Sequence, residues 1–197
     1  MITVADLKAA APRLRDAMEA EAEALNAADG ALGDGDLGVT LRRGSRAVAE
    51  KAGELPDDFG MALMACAQAF TKVSASSYGT LLATGLMAAA KETRGREGVE
   101  PAELPALLDA AVARMIARGK AELGGKTVLD SLHAMARALE AEPTAAAAVR
   151  AAEASQAAFR DRPATVGRAR IFGEKSKGMD DPGMMAMTSI VRAVTGG

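Results

Sequence analysis

Apolar runs such as FGMALMACAQAF (59–70) and VLDSLHAMARALEAE (128–142) alternate along the chain with short polar stretches rich in glycine, serine or proline. This pattern predicts helices joined by loops. Thr3 followed by Asp6 suits a capping box that opens a first helix running toward Asn26, which Pro12 kinks or delays. The stretch DGALGDGD then ends it, and Asp36 is placed to cap a second helix, LGVTLRRGSRAVAEKA, stopped by Gly53 and Pro56. Further helices are expected over 59–71 and from Tyr78 to about Thr93. After the loop RGREGVE, Pro101 fits the first turn of a fifth helix ending near Gly119. The loop GKAELGGKT leads into a sixth helix closed by Pro143, and Thr144 caps an alanine-rich seventh ending near Arg160. A long irregular stretch, DRPATVGRARIFGEKSKGMDD, precedes a last helix opened by Asp181 and Pro182 and finishing before Gly196.

About eight helices with mostly short connections fit an antiparallel up-and-down bundle. In such a bundle the loops after odd-numbered helices share one end. Those are the aspartate stretch, the SASS stretch after helix three, GKAELGGKT and the long segment, so the four unusual loops should converge. Composition agrees: 49% of the residues are hydrophobic and only 3% aromatic, with 11 methionines, which favours close-packed helices over a sheet. The methionines of DDPGMMAMTSIV, with Met61 and Met64, read as core filling. A length of 197 residues supports one core, so a single all-α domain over 1–197 is expected.

A net charge of −2 with interspersed signs offers no footprint for nucleic acid or an anionic membrane. The charge-free stretch 73–90 is interrupted by Ser, Thr, Tyr and Gly, which makes it a buried helix rather than a membrane span. The single Cys66 has no partner for an internal disulfide, and MITVADLKAAAPRL lacks the form of a secretory leader. A cytoplasmic protein is expected.

Asp29, Asp34 and Asp36 repel one another and lie among glycines, an arrangement that calls for a cation. Carboxylate oxygens suit Mg²⁺ or Ca²⁺. A calcium loop starting at Asp34 fails, because Gly38 and Ser45 fall where ligands are needed. Magnesium fits better: it keeps few protein carboxylates, and the helix N-terminus after Asp36 could hold the phosphates it bridges. Simple helix capping by Asp34 and Asp36 in a glycine turn is the alternative, against which the neighbouring loops weigh. GGKT (124–127) resembles the end of a Walker A loop, but the first glycine would fall on Lys120 and no strand precedes it. Arg168, Arg170, Lys175 and Lys177 supply the fixed cations that a transferring phosphoryl group needs, although such a run is often only a solvated loop. His133, mid-helix and alone, reads as a satisfied or exposed helical residue, with catalysis as the lesser alternative.

The series DGALGDGDLG, SASSYGT, ARGKAELGGKT and GRARIFGEKSKGMDDPG resembles, in order and spacing over nearly the whole chain, the nucleotide-binding L subunit of dihydroxyacetone kinase, the DhaL family. The resemblance implies an eight-helix antiparallel barrel that binds ADP or ATP at one end through Mg²⁺. By position, Asp29, Asp34 and Asp36 match the metal ligands, and Leu37, Gly38, Val39 and Thr40 match a phosphate- and nucleotide-contacting segment. Val73 and Ser74 match a phosphate-contacting pair, and Gly119 and Val128 match positions near the nucleotide. Arg168 matches a basic nucleotide contact, to which the catalytic role is given, and Asp181, Pro182 and Gly183 match the closing Asp-Pro-Gly.

The same resemblance implies partners. Family members act on dihydroxyacetone or related short ketoses held by a separate K subunit. The phosphate donor is either ATP or, in another branch, ADP recharged by a phosphotransferase-system M subunit. A homodimer is also open to the chain. Two departures from the family pattern stand out: Leu37 replaces a usual histidine, and Thr71 and Lys72 replace a usual glycine pair. The leading expectation is an Mg-nucleotide phosphotransfer subunit; the alternative is a divergent paralogue with a binding or regulatory role and no phosphotransfer.

Overall fold

The computed structural model describes residues 1–74 and 76–196, so Ala75 of the SASS stretch and Gly197 lie outside it. Eight helices account for most of the described chain: α1 (Val4–Leu32), α2 (Leu37–Lys51), α3 (Phe59–Val73), α4 (Ser77–Glu92), α5 (Leu104–Gly119), α6 (Val128–Ala141), α7 (Ala145–Phe159) and α8 (Pro182–Thr195). Each helix packs on its neighbours in sequence, and α8 closes back on α1, giving an antiparallel ring. Arg13 fastens that closure, donating to the carbonyls of Ala193 (3.0 Å) and Val194 (2.9 Å) at the end of α8. The only strands among the described residues are β1 (Ile2–Thr3) and β2 (Gly98–Val99), an antiparallel pair that ties the N-terminus to the α4–α5 connection.

Helix starts follow local capping chemistry. The side chains of Asp58, Ser76, Thr144 and Asp181 each accept a backbone N–H three residues on, and Thr127 accepts that of Leu129. One boundary differs from expectation. Helix α1 continues past Asn26 to Leu32, through Gly30 and through Pro12, so Asp29 stands on its last turns rather than in a loop. Pro12 lies on the exposed side of the helix, where the carbonyl it leaves without an N–H partner is open to solvent.

The core has two main zones. Met18, Leu25, Leu41, Phe59 and Phe70 join α1, α2 and α3, while Met115, Leu129, Met135 and Met187 join α5, α6 and α8. Tyr78 and Leu82 of α4 touch both. Met184 and Met187 fill the core as expected, but Met61 is 42% exposed and belongs to the surface. A third, smaller cluster packs Ala164, Ala169, Phe172 and Met179 over Leu32, which lays the α7–α8 connection across the end of α1. Glycine allows close helix approach at two places: a Cβ on Gly38 would lie 1.9 Å from the Ala22 carbonyl oxygen, and one on Gly44 would lie 2.1 Å from the Phe70 ring. Among the described residues, no helix is long and apolar enough to cross a membrane.

Candidate functional site

The loops after α1, α3, α5 and α7 meet at one end of the ring. Arg168, in a short 3₁₀ turn (Arg168–Ile171) of the α7–α8 connection, forms an ion pair with Asp34. Thr165 of the same connection donates to the Gly125 carbonyl of the α5–α6 loop at 3.3 Å. Tyr78, at the start of α4, donates its hydroxyl to the Gly183 carbonyl at the start of α8 (2.9 Å).

Asp29, Asp34 and Asp36 each offer one oxygen such that all three lie within 4.8 Å of one another. Their duties differ. One Asp29 carboxylate oxygen accepts the backbone N–H of Asp36 (2.9 Å) and of Leu37 (3.2 Å), and Asn26 accepts that of Val39 (3.2 Å). The start of α2 is therefore capped from α1, across the chain reversal. Asp36 occupies the N-cap position, yet its side chain makes no capping bond. Asp34 and Asp36 thus do not serve as the glycine-turn caps that the simplest alternative supposed, and both are exposed. The same pinning changes the expectation for the α2 N-terminus. Two of its first three N–H groups already have partners, so the helix start is a poor anion cradle by itself, and added charge must come from elsewhere.

Beside the aspartates opens a cleft of about 300 Å³ lined by Asp36, Val39, Thr40, Arg43, Val73, Ser74 and Ser76. The Ser74 hydroxyl is buried there without a hydrogen-bond partner. Such a group is costly unless a ligand satisfies it. Gly79 makes room for it, since a Cβ at that position would come within 2.6 Å of Ser74 Oγ. Val73 is exposed at the rim. Leu37 and Gly38 are buried behind the cleft rather than lining it. Thr71 and Lys72 are exposed on the last turn of α3, which stays helical to Val73.

The remaining expected residues lie outside the cleft. Asp181 caps α8 through Met184 N–H (2.8 Å), with Pro182 and Gly183 buried after it. Withdrawal from water pushes the Asp181 carboxyl up to about 7, against the backbone N–H groups of Met184 and Gly183 and the Lys126 ammonium, which pull it down; Asp130 adds to the rise. Gly119 ends α5 and Val128 begins α6; neither lines the cleft. His133 sits half-exposed on α6.

Sequence reasoning did not single out Asn26, Arg43, Ser76 or the role of Lys126. Ser76 reaches the Asp36 cleft only because α2 and the α3–α4 loop converge, whereas Arg43 lies two turns along α2 from Asp36 on the same helix face. A larger opening of about 370 Å³ lies at the opposite end, between α5 and α6. Its two acids, Asp109 and Glu140, are already paired with Arg137, so no chemistry is assigned to it.

Comparison with known proteins agrees with this geometry. The DAK2 domain family matches residues 31–196. Triokinase/FMN cyclase of Homo sapiens is 35% identical over 182 residues, which cover 87% of this chain and 31% of that protein. This chain therefore spans about a third of the length of the triokinases it matches. The ADP-binding subunit DhaL of the PEP-dependent dihydroxyacetone kinase of Escherichia coli (strain K12) is 32% identical over 180 residues, covering 87% of this chain and 86% of that subunit. The crystal structure of the dihydroxyacetone kinase from C. freundii in complex with AMP-PNP and Mg²⁺ superposes on 96% of this chain and 33% of its own, with a TM-score of 0.76 at 24% identity, a likeness of fold. By family and by its eight-helix antiparallel ring, the chain belongs to the DAK2-domain family, that of the DhaL subunit of dihydroxyacetone kinase.

Proposed function

We propose that this chain is the Mg²⁺-dependent, ADP- or ATP-binding phosphotransfer subunit of a dihydroxyacetone kinase-type system. The phosphoryl group passes to a short hydroxyketone held by a separate K-like subunit, with ATP or an M-like phosphoprotein as donor. One observation carries the reading: three carboxylate oxygens lie within 4.8 Å of one another beside a cleft with a buried, unpartnered serine hydroxyl. The donor set is all oxygen and all anionic, which fits Mg²⁺. Asp29, Asp34 and Asp36 would hold it, and it would neutralise the phosphate charge that three carboxylates alone repel.

The chain's own residues supply the rest. Ser74 offers its unpartnered hydroxyl to a phosphate oxygen, and Arg43 places a fixed positive charge on the same wall. Arg168 pairs with Asp34, so a cation seated among the carboxylates competes with the guanidinium for that oxygen. A guanidinium at that place would supply the fixed positive charge that a phosphoryl group in transfer requires. Gly183, after the α8 cap, is tied to α4 through the Tyr78 hydroxyl.

Thermal unfolding tests the site. With Mg-ADP at about a hundred times its Kd, binding stabilises by about 2.7 kcal/mol, a rise of roughly 5–10 °C in Tm for a domain of this size. Asp36→Asn abolishes that rise while leaving the ligand-free Tm unchanged, because the Asp36 side chain caps nothing. An Mg-ADP response that persists in Asp36→Asn contradicts the assignment.

A second reading, a divergent paralogue that binds a ligand or partner without phosphotransfer, is favoured by Leu37. Its side chain is 4% exposed and packs in the core, so it gives the site no polar contact. Turnover of a short hydroxyketone with a K-like subunit separates the two readings.

A further inference from the structure

Lys126 is the most deeply buried cation of the described chain, with 1% of its surface exposed. It has a positive φ of 63°, a conformation that non-glycine residues adopt at a cost. Its ammonium donates to three backbone carbonyls: Arg160 at 2.9 Å, Arg162 at 3.0 Å and Ser176 at 2.8 Å. A lysine ammonium has three hydrogens, and here each has one acceptor. The three carbonyls lie at the two ends of one excursion of the chain, residues 160–162 where it leaves α7 and Ser176 where it returns. Around the same neck, Gly178 N–H donates to the Arg160 carbonyl (3.0 Å), Arg160 Nε donates to the Gly178 carbonyl (3.0 Å), and Ala164 N–H donates to Ser176 Oγ (2.8 Å). Between the two ends lies the turn that carries Arg168 to Asp34.

We propose that Lys126 is a positioning residue: its ammonium clasps the neck of the 160–178 loop and thereby holds Arg168 at the aspartate site. Without it, the buried Ser176 carbonyl and the part-buried Arg162 carbonyl lose the donor that joins them, the Arg160 carbonyl keeps only its Gly178 N–H link, and the two ends of the neck are no longer held to one point. The GGKT sequence is thus a lysine placed by its loop to gather carbonyls of its own chain rather than phosphates. Asp130 sets that loop, accepting Gly124 N–H (2.5 Å) and Thr127 N–H (2.8 Å) on either side of Lys126. The clasp stands on geometry alone; its consequence for ligand binding rests on the Mg-nucleotide reading above.

The test uses the full chain. In ¹⁵N NMR of the wild-type protein, one lysine ammonium resonance stays protected from solvent exchange, and it is lost in Lys126→Met; absence of any protected ammonium overturns the clasp without need of a variant. By hydrogen exchange, Lys126→Met raises amide exchange across 160–178 by about tenfold or more while leaving α1–α6 unchanged. Unchanged exchange, or a uniform rise over the whole ring, also overturns it. For Mg-ADP binding, Lys126→Met weakens affinity about tenfold, and adding it to Arg168→Ala costs nothing further, the signature of action through Arg168. Losses that add in the double variant contradict the link to Arg168. If wild-type protein binds no Mg-ADP, the functional reading fails, while NMR and exchange still decide the clasp.

Discussion

Asp29 and Asp36 are the same residue type seven positions apart, and the fold gives them different work. Asp29 holds two backbone N–H groups of the next helix, whereas Asp36 holds none. In urea denaturation without ligand, Asp29→Ala should therefore lose about 1–3 kcal/mol, and Asp36→Ala should stay within about 0.5 kcal/mol of wild type. Equal losses would show that the two carboxylates share the capping duty. Asp181 allows a pH test. Its folded value of about 7 lies above the ordinary 3.8, so the folded protein keeps a proton that the unfolded chain has already released. The stability linked to this group is fully present below about pH 4 and declines as pH rises to about 7. Asp181→Asn preserves a capping oxygen and removes the titration, so the variant gains on wild type as pH rises from 4 to 8; parallel stability curves would refute this. At this scale the sequence disclosed residue type and cluster but not the division of labour. Three aspartates in a glycine-rich stretch raise the expectation of a cation site, yet which of them caps a helix depends on the approach of α1 and α2.

Among the elements, starts were more legible than ends. Thr144 and Asp181 are local signals, because a cap needs only its own side chain and an N–H three residues on; Ser76 and Thr127 cap in the same way without having been named from the sequence. The end of α1 was not legible. Gly30 and the aspartates read as loop, but the helix continues to Leu32 because that leucine is buried under Ala164 and Ala169 of a distant segment. The pairing of Ile2–Thr3 with Gly98–Val99 was likewise unforeseen, being too short to leave a periodic trace. Gly38 illustrates tertiary demand written as a single residue. It matches a nucleotide-contacting segment, but in the fold it lets α2 lie against the Ala22 carbonyl, where a Cβ would come to 1.9 Å. Gly38→Ala should separate α1 from α2 and destabilise the protein by at least about 2 kcal/mol, read from the denaturation midpoint. A stability within error of wild type would mean that the helices are not in that contact.

For the whole molecule, the alternation of helices decided most of what could be foreseen. An up-and-down ring sends the odd-numbered connections to one end whatever their sequences, and the Arg168–Asp34 pair and the Lys126 clasp show three of them joined there. The cleft lining adds the fourth. What alternation cannot give is which side chains face one another across that end, and hence Ser76 and Asn26 went unnoticed. The account as a whole stands on a cation-dependent nucleotide site at this end. Calorimetric titration of ADP into the protein, freed of any nucleotide carried through purification, with and without Mg²⁺, tests it most directly. The account predicts saturable binding with Mg²⁺ and a loss of at least about tenfold in affinity without it, or about 1.4 kcal/mol; no binding at millimolar ADP, or binding indifferent to Mg²⁺, would contradict it.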